Sequence, residues 1–160
     1  MHRFFCYTSN MKAKYISKSH NKTLLIYHLV CPVKYRRKVF TEEVSQSLKK
    51  ICLEFGPAYE IHFLEIGIDK DHVHFLIQTT PNQSFSNIVK KIKSISARYI
   101  FTHHKEVKEF LWGGKFWTSG YYANTVGQFG SLDMITNYVQ NQGNPDYQQI
   151  HTEQITLFDN

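Results

Sequence analysis

The chain has 160 residues, 42% hydrophobic and 15% aromatic, and carries a formal net charge of +6 at pH 7. One domain of this size buries most of its unfolded surface without cross-links, which argues against a disordered chain. The three widely spaced cysteines, Cys6, Cys31 and Cys52, form neither a disulfide framework nor a zinc ribbon. No apolar run is long enough to span a bilayer and residues 1–10 lack the apolar core of a secretory signal, so a cytoplasmic protein with a polyanionic partner is expected.

Residues 1–21 are polar and basic without a period and read as an arm, followed by a single domain over residues 22–145 and a tail over 146–160. Lys22 to Cys31 is apolar at both parities, the pattern of a central strand covered on two sides, and Pro32 ends it. Lys34, Arg36, Arg37 and Lys38 then surround Tyr35; both a solvated loop and a nucleic-acid contact fit such a run. Thr41 is placed as the N-cap of a helix to Phe55, with Glu42 and Glu43 in its first turn and Val44, Leu48, Ile51, Cys52 and Phe55 at helical spacing. Gly56-Pro57 stops it.

Ile61 to Ile68 and the run from His72 to Thr79 are strand-like, and Asp69-Lys70-Asp71 between them has turn composition, so the two predict a hairpin. A second helix is predicted from Ser84 to Thr102, with Ile88, Ile92, Ile95 and Tyr99 as its buried stripe. Lys90, Lys91, Lys93 and Arg98 lie off that stripe, where they contact phosphate or face water. His103 to Lys115 is irregular, Thr118 to Gly127 reads as a fourth strand, and Ser131 caps a last helix through Gln142.

The order βαββαβ fits an α+β, ferredoxin-like sandwich: an antiparallel sheet with two helices on one face, plus an appended C-terminal helix that carries Tyr138. Strand alternation points Val73, Phe75 and Ile77 at those two helices and leaves His72 and His74 on the other face, with the appended helix as their natural cover in the same subunit or a partner. The His-x-His spacing is a weak signal by itself, since nine His in 160 residues make about half such a pair by chance. On the last helix, Tyr138 and Gln142 are four residues apart and share a side, beside the apolar Ile135 and Val139. Two imidazoles and one amide oxygen make a three-ligand site suited to Mg²⁺ or Mn²⁺ holding a phosphate oxygen. A phenol beside such an ion is a nucleophile for phosphate, and attack would conserve bond energy in a phosphotyrosine link.

Several segments together resemble one family, the single-tyrosine HUH (His-hydrophobic-His) transposases of small insertion sequences and their repeat-associated relatives. These are Tyr27-His28-Leu29-Val30 with Lys34 to Val39, Asp71-His72-Val73-His74, Phe116 to Tyr122 with Thr125-Val126-Gly127, and Tyr138-Val139-Gln140-Asn141-Gln142. One departure is Val33, which stands between Pro32 and Lys34. The resemblance implies that His72, His74 and Gln142 bind a divalent metal, that Tyr138 is the nucleophile, and that Tyr121 and Tyr122 are structural. It further implies single-stranded DNA with hairpin ends as substrate, cleavage and rejoining as the activity, and a homodimer in which the Tyr138 helix can act in trans. A relaxase-type nickase is disfavoured by the short chain and single candidate Tyr, and a zinc hydrolase by the lack of a Cys or carboxylate spaced to complete the His pair. A catalytically silent nucleic-acid-binding module using Tyr35, Trp117 and the basic patches is the alternative from another class.

Overall fold

A computed structural model of the chain describes residues 13–127, 136, 137 and 139–141. Tyr138, Gln142, Ile135, Cys6, the first twelve residues and the 146–160 tail lie outside the described residues. Within the described part, the end of the expected arm is structured: β1 (Ile16–Lys18) pairs antiparallel with β2 (Asn21–Thr23). Two contacts tie this ribbon to the domain. The Lys18 ammonium pairs with Glu60, and the Gln78 amide donates to the Lys14 carbonyl at 2.6 Å.

The main sheet is built from β3 (Leu25–Pro32), β4 (His62–Ile68), β5 (His72–Thr79) and β6 (Tyr122–Thr125), in the order β4-β5-β3-β6 and antiparallel throughout. With α1 (Glu42–Phe55) after β3 and α2 (Phe85–His103) after β5, this is the expected ferredoxin-like arrangement. Leu29, Cys31, Val73, Phe75 and Ile77 meet Val44, Leu48 and Cys52 of α1 and Ile88, Ile92 and Ile100 of α2 in one core. Ile26, Leu76 and Val126 form a smaller cluster on the opposite face. Cys31 and Cys52 are buried free thiols, and burial pushes both above their ordinary pKa, so they act as packing residues. No helix among the described residues is long and apolar enough to cross a membrane.

The caps behave as their chemistry dictates: Thr41 Oγ1 accepts from Val44 N at 3.3 Å, and Ser84 Oγ accepts from Asn87 N at 3.3 Å. Three expectations are corrected. The buried stripe of α2 runs through Val89, Ser96 and Ile100, while Ile95 and Tyr99 are only half-buried. Ser96 belongs inside because its hydroxyl donates to Ile92 O at 2.5 Å and accepts from the Trp117 indole at 3.0 Å, a partnership no hydropathy pattern contains. The stretch expected to be irregular contains a short helix, α3 (Lys105–Phe110). The fourth strand is four residues long, because the carbonyls of Thr118, Ser119 and Gly120 turn onto the Lys93 ammonium at 3.0, 3.4 and 2.7 Å instead of pairing. Val33, the departure from the family pattern, donates its N–H to Asp71 O at 2.8 Å and bridges to Trp117.

Two turns depend on a close backbone approach or a left-handed residue. Gly56 ends α1 with ordinary helical angles, yet a Cβ there would stand 2.5 Å from Ile61 O and 3.0 Å from Cys52 O. The end of α3 closes with Trp112 N bonded to Glu109 O and Gly113 N to Lys108 O, at 2.9 and 2.8 Å. That is a Schellman turn with Trp112, at φ 54°, in the left-handed position that glycine ordinarily fills. A side chain there costs about 1–2 kcal/mol. Gly56→Ala is expected to lower the unfolding free energy by about 1–3 kcal/mol through the forced shift of two backbone carbonyls. Urea unfolding checks this as a lower midpoint at constant slope; an unchanged midpoint would mean the turn widens freely.

Candidate functional site

Antiparallel pairing sets Val30 opposite His74 and Pro32 opposite His72, and His28 two residues back along β3. All even-numbered residues of these two strands therefore share the face away from α1 and α2. His72 and His74 lie there side by side, ring centroids 5.1 Å apart at 67°, both buried. Each has its Nδ1 engaged. His72 Nδ1 is 2.6 Å from Asp71 Oδ1, and His74 Nδ1 is 2.9 Å from Nε2 of the buried His28, whose ring stacks on His74 at 5.1 Å. With the Nδ1 positions held, both imidazoles present the same nitrogen, Nε2, to a ligand, and a ligand there would keep the proton on Nδ1.

The two acceptors are tuned differently. Burial pushes His28 down to about 4, with a side-chain hydrogen bond to Asn124 pulling the other way, so at neutral pH it is an uncharged imidazole that can accept through Nε2. Burial pushes the Asp71 carboxyl up, but the His72 hydrogen bond and the neighbouring Arg36 outweigh it and hold the group below its ordinary value. Arg36 reaches Asp71 Oδ2 from Nε at 3.2 Å and from its terminal nitrogen at 3.1 Å. A chain of charge-assisted bonds thus runs from the basic loop to the first imidazole.

Two carboxylates that the sequence reading set aside do stand beside His72. Asp71 is on Nδ1, and Asp69 Oδ2 is 4.0 Å from Nε2, well beyond a metal–oxygen bond. Among the described residues no group of three His, Cys, Asp or Glu is arranged to hold a metal. They supply two oriented imidazoles, a donor type that fits a divalent ion. Of the described residues of the last helix, Val139 is buried, and the Gln140 amide donates at 3.1 Å to Glu65, which sits opposite Leu76 on β5.

The predicted basic residues fall into two places. Lys34, Tyr35 and Arg36 form a 3₁₀ turn directly after β3, with Arg37 and Lys38 following, at the His72 end of the sheet. Lys90, Lys91, Lys93 and Arg98 ride on α2, which covers the opposite face. There Lys93 is occupied by the three carbonyls described above, and Lys91 donates to Gln83 Oε1 at 2.8 Å with its charge 4.6 Å above Tyr59. Lys90 and Arg98 are exposed. Trp117, placed by the binding-module alternative as a stacking surface, is instead buried with its indole N–H on Ser96. Sequence reasoning missed His28 and the positioning role of Asp71; the parity of His28 within a strand is visible, but only the register with β5 puts it against His74.

The sequence pattern of the family described as IS200-like transposases matches residues 21–142. The chain is 36% identical over 118 residues to the ISDra2 transposase TnpA of Deinococcus radiodurans, covering 74% of this chain and 84% of that protein. It is 28% identical over 126 residues to the transposase for insertion sequence element IS200 of Salmonella typhimurium, covering 79% and 82%. Among solved structures, a crystal structure from Deinococcus radiodurans R1 assigned as a transposase superposes with a TM-score of 0.65 at 30% identity, over 79% of this chain and 97% of that one. A REP-associated tyrosine transposase bound to a REP hairpin has the same fold, with a TM-score of 0.53 at 9% identity over 77% and 70%.

If His28 orients His74, His28→Phe, which fills the space without an acceptor, is expected to weaken Mn²⁺ binding by about 10–100-fold. Calorimetric titration of the full chain measures this, and an unchanged affinity in a folded variant would remove His28 from the site.

Proposed function

The chain belongs to the IS200-like transposase family, and from that premise we propose that it cleaves and rejoins single-stranded DNA through a covalent 5′-phosphotyrosine link on Tyr138. In this reading His72, His74 and Gln142 hold a divalent ion, Mg²⁺ or Mn²⁺. The observation that supports it is the pair of adjacent buried imidazoles on one face of the sheet, each tied at Nδ1 to a neighbour. When bound, such an ion supplies a Lewis acid for an oxygen of the scissile phosphate.

The rest of the chemistry falls to this chain's own groups. Asp71 and His28 hold the two rings and their tautomers, which preorganises the donor nitrogens before DNA arrives. The phenol oxygen of Tyr138 attacks phosphorus as its proton leaves, the bond to the 3′ oxygen breaks, and that oxygen gains a proton as the free 3′ hydroxyl. A 3′ hydroxyl attacking the phosphotyrosine reverses the step and reseals the strand, so no external energy source is needed. The cationic loop Lys34–Lys38 stands at the His72 end of the sheet, where it would hold the phosphates on either side of the cut. Lys90, Lys91, Lys93 and Arg98 would meet DNA only on the opposite face. Hairpins at insertion-sequence ends are the recognition element this reading assigns, and a homodimer with the Tyr138 helix serving either subunit is its assembly.

The test is a denaturing gel of the full chain with labelled single-stranded DNA carrying hairpins, in Mn²⁺ or EDTA. A metal-dependent, protease-sensitive covalent band is expected for the wild type and not for Tyr138→Phe. A band that persists in Tyr138→Phe removes that residue as nucleophile, and no band from either, with complexes still formed on a native gel, leaves a silent binding module. Gln142→Ala is expected to reduce metal-dependent cleavage more than DNA binding; equal loss of both would count against its role as a ligand.

A further inference from the structure

Tyr35, Phe110 and Trp112 are 64%, 47% and 75% exposed, although large aromatic rings are the side chains that folding buries with most gain. They come from two separate segments, the turn after β3 and the end of α3, and meet at one end of the sheet. The Tyr35 and Trp112 ring centroids are 6.3 Å apart with planes at 53°. The Arg37 guanidinium lies 4.8 Å from the Phe110 centroid and 4.6 Å from that of Trp112, and the Lys34 ammonium lies 5.0 Å from that of Tyr35. Charge and ring faces are interleaved.

The backbone beneath this patch is unusual. Tyr35, Arg36 and Trp112 have φ of 57°, 51° and 54°, and together they are three of the four non-glycine residues with positive φ among the described residues. At Trp112 the turn itself asks for glycine, and the indole placed there points into water, where it adds nothing to the core. Local strain that serves an exposed side chain is a mark of ligand contact. The ligand chemistry follows from the surface: flat faces flanked by cations match a molecule that carries flat rings on an anionic thread. A duplex keeps its base faces stacked inside and offers only phosphates, whereas a single strand offers both.

We propose that Tyr35, Phe110 and Trp112, with Lys34 and Arg37, form a stacking platform for unpaired bases of single-stranded DNA, independent of any hairpin. The platform adjoins the proposed cleavage site, because Arg36 within the same turn bonds Asp71, which bonds His72. It therefore takes nucleotides that flank the cut. This inference rests on the reading of the chain as acting on single strands and adds a subsite to it.

The chain has two tryptophans, and Trp117 is 4% exposed, so base stacking should quench Trp112 alone. The full chain in EDTA is titrated with oligothymidylate, which forms no hairpin, and with a duplex of equal length. Quenching by the single strand and not by the duplex is expected. Trp112→Ala should abolish it and weaken binding about tenfold, while Trp112→Phe should lose the signal but keep most of the affinity. Equal quenching by duplex, or unchanged affinity in both Trp112→Ala and Tyr35→Ala, overturns the proposal. So does a shift of Trp112→Ala to a smaller species in sedimentation, which would make the patch a contact between copies. The Tyr138 adduct is scored on the same preparations: quenching without an adduct keeps the platform and removes strand transfer, and an adduct without quenching does the reverse.

Discussion

The pairing of β3 with β5 is the constraint on which the rest depends. Side chains alternate along both strands, so this one register sends Leu29, Cys31, Val73, Phe75 and Ile77 into the helix-covered core and His28, His72 and His74 to the other face. A slip of β5 by one residue would drive His72 and His74 into the apolar core and turn Phe75 out. Burial of the hydrophobic set therefore enforces the geometry of the polar one. The strand faces that carry the site are held by the stability of the whole sheet.

That arrangement divides the molecule into two kinds of surface. On the helix side, two of the four cations of α2 are drawn into structure: Lys93 closes the loop before β6 and Lys91 packs on Tyr59. On the histidine side, the polar groups are connected to one another, from Arg36 through Asp71 to His72, and from His28 to His74. Buried polar groups of this kind are stable only when each is paired, and pairing leaves the imidazoles with little freedom to turn. Membership of the IS200-like transposase family is consistent with a face preorganised for ligand contact. The strained turns at Tyr35 and Trp112 stand at the end of the sheet where that network meets solvent.

Much of this was legible in the chain because it follows from short-range rules. Period-two alternation marked β5 and separated its two faces, Thr41 and Ser84 marked helix starts by their hydroxyls, and Gly56-Pro57 marked a stop. The order of strands and helices then left few topologies, and the antiparallel sheet with two helices on one face is the one observed. The segments that resemble the family also lie within the 21–142 match.

What the chain alone did not decide depends on partners distant in sequence. Ser96 is a core residue only because Trp117, far along the chain, donates to it, and the fourth strand is short only because Lys93 claims three carbonyls. His28 and His74 are 46 residues apart, and no local pattern in β3 names its neighbour across the sheet. Trp112 and Trp117 look alike in sequence, yet one is exposed and one buried, because a backbone turn and a hydrogen bond decide which ring the core receives. Local composition therefore determined the main strands and helices, their order and the residue types available for chemistry. Tertiary register decided which of those residues touch, because contacts between distant segments exist only once the sheet has closed.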